Sequence, residues 1–249
     1  MLEANESKLK QSMSVRRYVD EFFRPNEANK NAQNGWARHF IYGIEDGEDL
    51  ATATKVNMIL HGDGNSNILK ADGLAAFEKY ALDKLQIAKT DANAPYTYPV
   101  NEQFDCVVSN PPFSLKEDTR TINEYGTRFA YAGQRNSENL FVERWYQLLK
   151  EGGRLGVVLP DSVFDTNENV YIRLMLYRFF KIRAVVSLPQ ISFQPYTPPK
   201  PACCLRSRKR VKRWPSGTRP GARPLANMAS CADRPLWICC CATTACATN

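Results

Sequence analysis

Four short apolar runs constrain the fold of this chain more than any other feature of its sequence. Each run lacks the polar alternation of a strand that faces solvent on one side, and segments with helical spacing lie between them. Apolar strands joined by helices predict a parallel sheet with helices on both faces. We therefore predict a doubly wound, mostly parallel α/β domain. The runs are HFIYGIE (39–45), FDCVVS (104–109), RLGVVLP (154–160) and IRAVVSLP (182–189).

The segments between these runs complete the predicted fold. In the helix that follows the second run, Ser137 is placed to cap the amino end and Gly152 to end the helix. The other segments are assigned from apolar spacing and from turn-forming residues. The predicted elements are helices over 47–60, 76–85, 137–153 and 169–181, a short strand over 67–70, and a long loop over 114–136.

The formal charge of +7 is concentrated in the last fifth of the chain. From Lys200 to Asn249 there are ten basic residues and one acidic residue, Asp233, which leaves 23 basic and 25 acidic residues in 1–199. Seven of the eight cysteines also follow Lys200, and Cys106 is the exception. The charge of the body therefore does not by itself indicate a nucleic-acid partner, and one cysteine excludes a disulfide framework there.

The body of the chain has neither an 18-residue apolar run nor an apolar amino-terminal leader. We therefore expect a soluble, cytoplasmic protein that does not cross a membrane.

The most specific motif is Asn110-Pro111-Pro112-Phe113, which directly follows an apolar strand. The exocyclic nitrogen of adenine is a poor nucleophile, because its lone pair is delocalised into the ring. An enzyme that methylates it needs acceptors for both amino hydrogens. The Asn110 side-chain oxygen and the Pro111 carbonyl can serve as these acceptors, and Phe113 offers a face on which a flipped base can stack.

The motif and its neighbours together resemble the methylation subunit of type I restriction–modification systems, an adenine-N6 DNA methyltransferase. The resemblance covers about residues 39–199. The segments that carry it, in order, are GIE, NMILHGDGN, FDCVVSNPPF, ENLFVERWYQLLKEGGRLGVVLPDSVF and VVSLPQISFQPYTPPK.

This resemblance implies S-adenosylmethionine as the cofactor and assigns roles to matched positions. Glu45 would bind the ribose hydroxyls of the cofactor, Asp63 would lie near its adenine, and Ile44 and Gly62 would line the same cleft. The residues of the target-base pocket would be Asn110, Pro111, Pro112 and Phe113, and Asp161 and Phe164 would border it.

The resemblance also implies partners and a direct reaction. Double-stranded DNA would be the substrate, a specificity subunit would read its sequence, and a restriction subunit would complete the complex. Direct methyl transfer requires no metal and no covalent nucleophile.

The sequence departs from this family at two places. The family has a glycine-rich cofactor loop before the GIE strand, whereas residues 1–38 contain one glycine, Gly35. We therefore expect that the chain alone does not methylate DNA. After Pro199 the sequence is rich in Arg, Pro and Cys and has no apolar periodicity.

We interpret this tail as out-of-frame sequence without packed structure; a basic nucleic-acid arm and a zinc site are the alternatives. The predicted organisation is a helix-and-loop remnant over 1–38, a partial catalytic domain over 39–199 and a disordered tail over 200–249.

Two other functions remain open at the level of sequence. The chain could be a truncated remnant without enzymatic activity, or a methyltransferase acting on RNA or on a protein glutamine, since those enzymes share the Asn-Pro-Pro-aromatic motif. The GIE…NMILHGDGN and ENLFVERW segments favour the adenine-N6 DNA methyltransferase.

Overall fold

A computed structural model gives the structure of the protein. It describes residues 37–61, 67–113, 123–134, 136–189, 192, 201–209 and 237–241. The helices are α1 (Ala37–Phe40), α2 (Glu48–Leu60), α3 (Asp83–Gln86), α4 (Ser137–Leu148), α5 (Ser162–Asp165) and α6 (Val170–Phe179). The strands are β1 (Ile41–Glu45), β2 (Ile68–Lys70), β3 (Lys89–Thr90), β4 (Pro99–Val100), β5 (Phe104–Asn110), β6 (Leu149–Pro160), β7 (Phe180–Ser187), β8 (Pro201–Arg208) and β9 (Trp237–Cys241).

The central feature of the described chain is a seven-stranded sheet in the order β2-β1-β9-β5-β6-β8-β7. Strand β8 runs antiparallel to β6 and β7, and the other pairs along the sheet are parallel. Strands β3 and β4 form a separate antiparallel pair. This arrangement confirms the predicted mostly parallel α/β sheet.

The order of the strands reverses on either side of β9. The chain passes from β1 through α2 to β2 in one direction, and from β5 through α4 to β6 in the other. Because such crossovers are right-handed, α2 and α4 belong to opposite faces of the sheet. Ligands of doubly wound sheets bind at this reversal, beyond the carboxyl ends of the strands.

Helix α4 is the centre of the hydrophobic core. Each of its twelve residues is buried, including polar side chains such as Glu143 and Arg144. Trp145 is fully buried, and its ring lies 6.3 Å from that of Phe141. Within the part of the chain that the structure describes, no helix has the length and apolar character needed to cross a membrane.

The boundaries of α4 differ from the sequence prediction. The helix ends at Leu148 rather than at Gly152, because Leu149 adopts an extended conformation and begins β6 directly. Gly152, with φ of 80°, lies within β6, where the pairing with β5 shifts its register. Ser137 is also not the cap: Asn136 holds that position, and its side chain makes no capping hydrogen bond.

Two further predictions were wrong in detail. The predicted helix over 76–85 is a 3-10 turn at Phe77–Lys79 followed by α3, because Tyr80 between them is extended. Strand β7 was predicted to be buried, yet Val185 and Val186 are 49% and 47% exposed. β7 is the edge of the sheet and is therefore covered less than a central strand.

The prediction that the chain has no packed structure after Pro199 was wrong for two segments. β8 lies between β6 and β7 and pairs with both, and β9 lies between β1 and β5. Arg208, at the end of β8, is 2% exposed. Its guanidinium lies 3.1 Å from the Asp91 carboxylate, forms an ion pair with Glu102, and lies 4.1 Å from the ring centre of Tyr146.

The ladders of β8 and β9 show how part of the tail becomes ordered although its apolar residues have no periodicity. A strand between two others satisfies its backbone donors and acceptors in the ladder, so its sequence need not show periodicity. The interpretation of the tail as out-of-frame sequence, and its two alternatives, remain predictions.

Candidate active site

The carboxyl end of β1 places an acidic side chain at the reversal of the strand order. Ile44 and Glu45 are buried, at 3% and 4% exposure. The backbone N–H of Gly47 donates to Glu45 Oε1 at 2.9 Å, and the N–H of Ala71 donates to the Glu45 carbonyl at 3.0 Å. A side chain at position 47 would place its Cβ 3.3 Å from Oε1, so glycine permits this approach. The Glu45 carboxylate is thus fixed in place at the edge of the sheet.

The carboxyl end of β5 carries the Asn-Pro-Pro-Phe motif. Asn110 is the last residue of the strand, and its side-chain Oδ1 is buried without a hydrogen-bond partner in the described structure. A buried acceptor without a donor costs about 1–3 kcal/mol. A donor on a bound ligand would offset this cost. Oδ1 therefore has the properties of an acceptor for a ligand N–H.

The rest of the motif is held against the amino end of α4. Pro111 is buried, and Pro112 and Phe113 are partly exposed. Ser137 Oγ lies 3.5 Å from the Pro112 carbonyl oxygen. The two proline rings fix φ at successive positions, so the backbone here has little freedom to reorient the Pro111 carbonyl.

The strand register brings Glu45 and Asn110 to the same height on the same edge. Ile44, Cys240 and Ser109 form one row across β1, β9 and β5. Glu45 and Asn110 are the next residues of their strands. With neighbouring strands about 4.8 Å apart, two steps across the sheet separate their backbones by about 10 Å. Glu45 and Asn110 therefore end their strands at the same edge of the sheet.

The remaining predicted residues divide into those that the structure describes and those that it does not. Gly62 and Asp63 lie outside the described residues. Asp161 follows β6 on the same edge as Asn110, since Ser109 and Val157 are paired. Its carbonyl accepts from the Phe164 N–H at 2.8 Å, and Phe164 packs against the core from the side.

Sequence reasoning missed a group of polar and aromatic residues that joins α4 to α6 and to the segment around Tyr131. Glu143 accepts the backbone N–H groups of Ala130 and Tyr131, both at 2.7 Å, and burial raises the pKa of Glu143 to about 7. The Tyr131 ring lies 4.8 Å from that of Tyr171, whose hydroxyl accepts from Asn139 Nδ2. This network anchors the segment that follows the motif to α4.

One signal of this network was present in the sequence. Asn139 and Glu143 are four residues apart and therefore lie on the same side of a helix. In a sequence, two polar residues at this spacing indicate a helix face exposed to solvent. The packing of α4 shows that they are buried. In the described part of the chain, no cluster of His, Cys, Asp and Glu is arranged to hold a metal ion.

A family model described as N-6 DNA methylase matches residues 19–213. The chain belongs to this family. The match includes the strand ends that carry Glu45 and Asn110, and it also includes Pro201–Arg208, beyond the limit at 199 that the sequence resemblance indicated.

Curated relatives and solved structures agree with this family. The chain is 26% identical over 179 residues to the type I restriction enzyme EcoEI methylase subunit of Escherichia coli, an alignment that covers 72% of this chain and 31% of the relative. It is 28% identical over 122 residues to the type II restriction enzyme and methyltransferase RM.BcgI of Heyndrickxia coagulans, covering 49% of this chain and 14% of that protein.

Among solved structures, the chain is similar to the M protein of the type I restriction enzyme EcoKI, with a TM-score of 0.54, 20% identity, and coverage of 79% and 37% of the two chains. A chain from a structural study of the assembly of a type I R-M system gives a TM-score of 0.55, 22% identity, and coverage of 78% and 36%. At these identities the structures show the fold. The chain spans about a third of the length of the type I proteins that it matches.

Proposed function

We propose that this chain carries the adenosine-binding and base-binding residues of an adenine-N6 DNA methyltransferase that uses S-adenosylmethionine. One observation carries the proposal: two buried groups lie on the same edge of the sheet. They are the side-chain oxygen of Asn110, which has no hydrogen-bond donor, and the carboxylate of Glu45. Family membership supports a DNA methylase. The position of Glu45 and Asn110 at one edge of the sheet supports these two side chains as its binding residues.

The cofactor supplies a methyl group on a positively charged sulfur. Glu45 fits the ribose end of such a molecule, because a fixed carboxylate at a strand end accepts from both ribose hydroxyls. The ends of β1 and β5 are about 10 Å apart, so a nucleoside that lies beyond the strand ends can reach both residues.

At the base, the chain's own atoms act as acceptors. Asn110 Oδ1 and the Pro111 carbonyl each accept one hydrogen of the adenine amino group, which directs the nitrogen lone pair out of the ring plane. Phe113, at the exposed end of the motif, stacks on the extruded base. The bound cofactor would supply the methyl group: its carbon–sulfur bond would break to leave a neutral thioether as the carbon–nitrogen bond forms, and the methylated amino group would release one proton to water.

The proposal includes partners. The EcoEI relative is the methylase subunit of a type I restriction enzyme, which supports a specificity subunit and a restriction subunit as partners of this chain. Residues 1–199 carry 23 basic and 25 acidic residues, so they have no excess positive charge for DNA phosphates. We expect DNA binding to depend on the specificity subunit.

Photolabelling with tritiated S-adenosylmethionine tests the cofactor half of the proposal. Glu45→Ala should reduce labelling of the full chain at least about tenfold, the equivalent of losing a charge-assisted hydrogen bond. Asp49→Ala, four residues away in the exposed first turn of α2, is the matched control and should leave labelling unchanged. Equal labelling of the wild type and Glu45→Ala would contradict the assignment.

A further inference from the structure

We propose that β9 is a positioning element that aligns the two sides of the proposed site. One side consists of β1 and β2, which carry Glu45, and the other consists of β5, β6, β8 and β7, which carry Asn110. Of the described strands, β9 is the one that hydrogen-bonds to both sides. This role deepens the proposed function and rests on it for its consequence at the cofactor.

The ladders of β9 fix the relative height of the two sides. Tyr42, Ile238 and Val107 lie in one row across the sheet, and Gly43, Cys239 and Val108 lie in the next. A slip of one residue in either ladder would move one side by about 3.3 Å along the strand direction. A ligand that binds both Glu45 and Asn110 can accept only a much smaller displacement of one residue relative to the other.

Side-chain contacts also hold the two sides together. The rings of Tyr42 and Phe104 meet edge to face, with centres 5.5 Å apart. Arg144 Nη2 donates to the carbonyls of Leu74 and Ala75, at 3.0 and 2.7 Å, and so connects α4 to the segment after β2. Loss of β9 should therefore leave the core assembled, while β1 and β2 lose their alignment with β5.

The position of β9 in the chain is consistent with a separable element. Residues 210–236 connect Lys209 to Trp237, whereas the strands on either side of β9 belong to the first half of the chain. Contiguous segments of a fold can open separately from its most stable core.

Hydrogen exchange of the full chain tests the proposal. Ile238→Pro removes a ladder donor from the middle of β9 and is incompatible with an interior strand, whereas Ile238→Val keeps the backbone intact and is the control. In the proline variant, we expect the amides of Ile41–Glu45 and Ile68–Lys70 to exchange at least about tenfold faster. Amides of Leu149–Pro160 and Val170–Phe179 should keep their protection.

Each other result overturns the proposal. Unchanged exchange in β1 would show that β9 does not hold it, and equal loss of protection throughout the sheet would make β9 part of the common core. S-adenosylmethionine affinity should fall about tenfold in Ile238→Pro and stay the same in Ile238→Val. Altered exchange with unchanged affinity would refute the positioning role. If the wild type binds no cofactor, the proposed function fails, while exchange still decides whether β9 aligns the strands.

Discussion

Replacing Arg208 with methionine would remove the charge that connects β8 to the rest of the fold. The Arg208 side chain is 1% exposed and forms ion pairs with Asp91 and Glu102, whose side chains are 16% and 15% exposed. It also donates to the Leu149 carbonyl and lies over the ring of Tyr146. Methionine keeps most of the aliphatic volume but none of these polar contacts, and it leaves two carboxylates close together.

The expected loss of stability follows from this environment. Removing one partner from a buried ion pair costs about 3–5 kcal/mol. The two carboxylates are partly hydrated, and Lys89 remains paired with Glu102, so the lower end of that range applies. We expect a loss of about 3 kcal/mol, which would move the midpoint of urea unfolding down by about 1–2 M.

Urea unfolding followed by tryptophan fluorescence measures this loss, because Trp145 is fully buried. Lys209→Met is the matched control. Lys209 follows Arg208 directly and is exposed, so this change should shift the unfolding free energy by less than about 0.5 kcal/mol. A loss below about 1 kcal/mol in Arg208→Met would show that β8 contributes little, and that the segment after Pro199 is not part of the stable fold.

Two further substitutions separate binding roles from structural roles. Asn110→Ala removes an unsatisfied buried acceptor, so the unfolding free energy should stay the same or rise by about 1 kcal/mol; a loss above about 2 kcal/mol would indicate a structural asparagine. Burial raises the pKa of Glu143 from 4.5 to about 7. Between these two pH values the folded state holds a proton that the unfolded state has lost. The free energy of unfolding therefore decreases as pH rises from about 4.5 to about 7. Between pH 5 and pH 7.5 the difference is about 2 kcal/mol, and Glu143→Gln should abolish it in urea unfolding at these two pH values. The same pH dependence in both proteins would refute the role of Glu143.

The sequence was sufficient to locate the edge that carries Glu45 and Asn110. Apolar runs identify the strands, and proline after Asn110 stops β5 at a definite residue. Since parallel strands end at one edge, the convergence of the two side chains follows from the order of strands and helices.

Local periodicity could not determine the elements whose structure depends on distant partners. The end of α4 at Leu148 is set by pairing of β6 with β5, and the sequence after it is equally compatible with a longer helix. Composition predicted no order for Pro201–Arg208, but β6 and β7 supply ladder partners on both sides. Local periodicity also could not predict that Glu143 is buried, because the backbone N–H groups that bond to it lie in a segment that the sequence predicts to be a loop.

Mapping the binding of S-adenosylmethionine onto backbone amides by NMR tests the central claim most directly. Titration of the isotopically labelled chain should perturb the amides of Glu45, Gly47 and Asn110, which share the carboxyl edge of β1 and β5. The amides of Phe104 and Lys150, near the amino ends of β5 and β6, should stay unchanged. Perturbations confined to the amino ends, or none at Glu45 and Asn110 at saturating cofactor, would contradict a methyltransferase site at this edge.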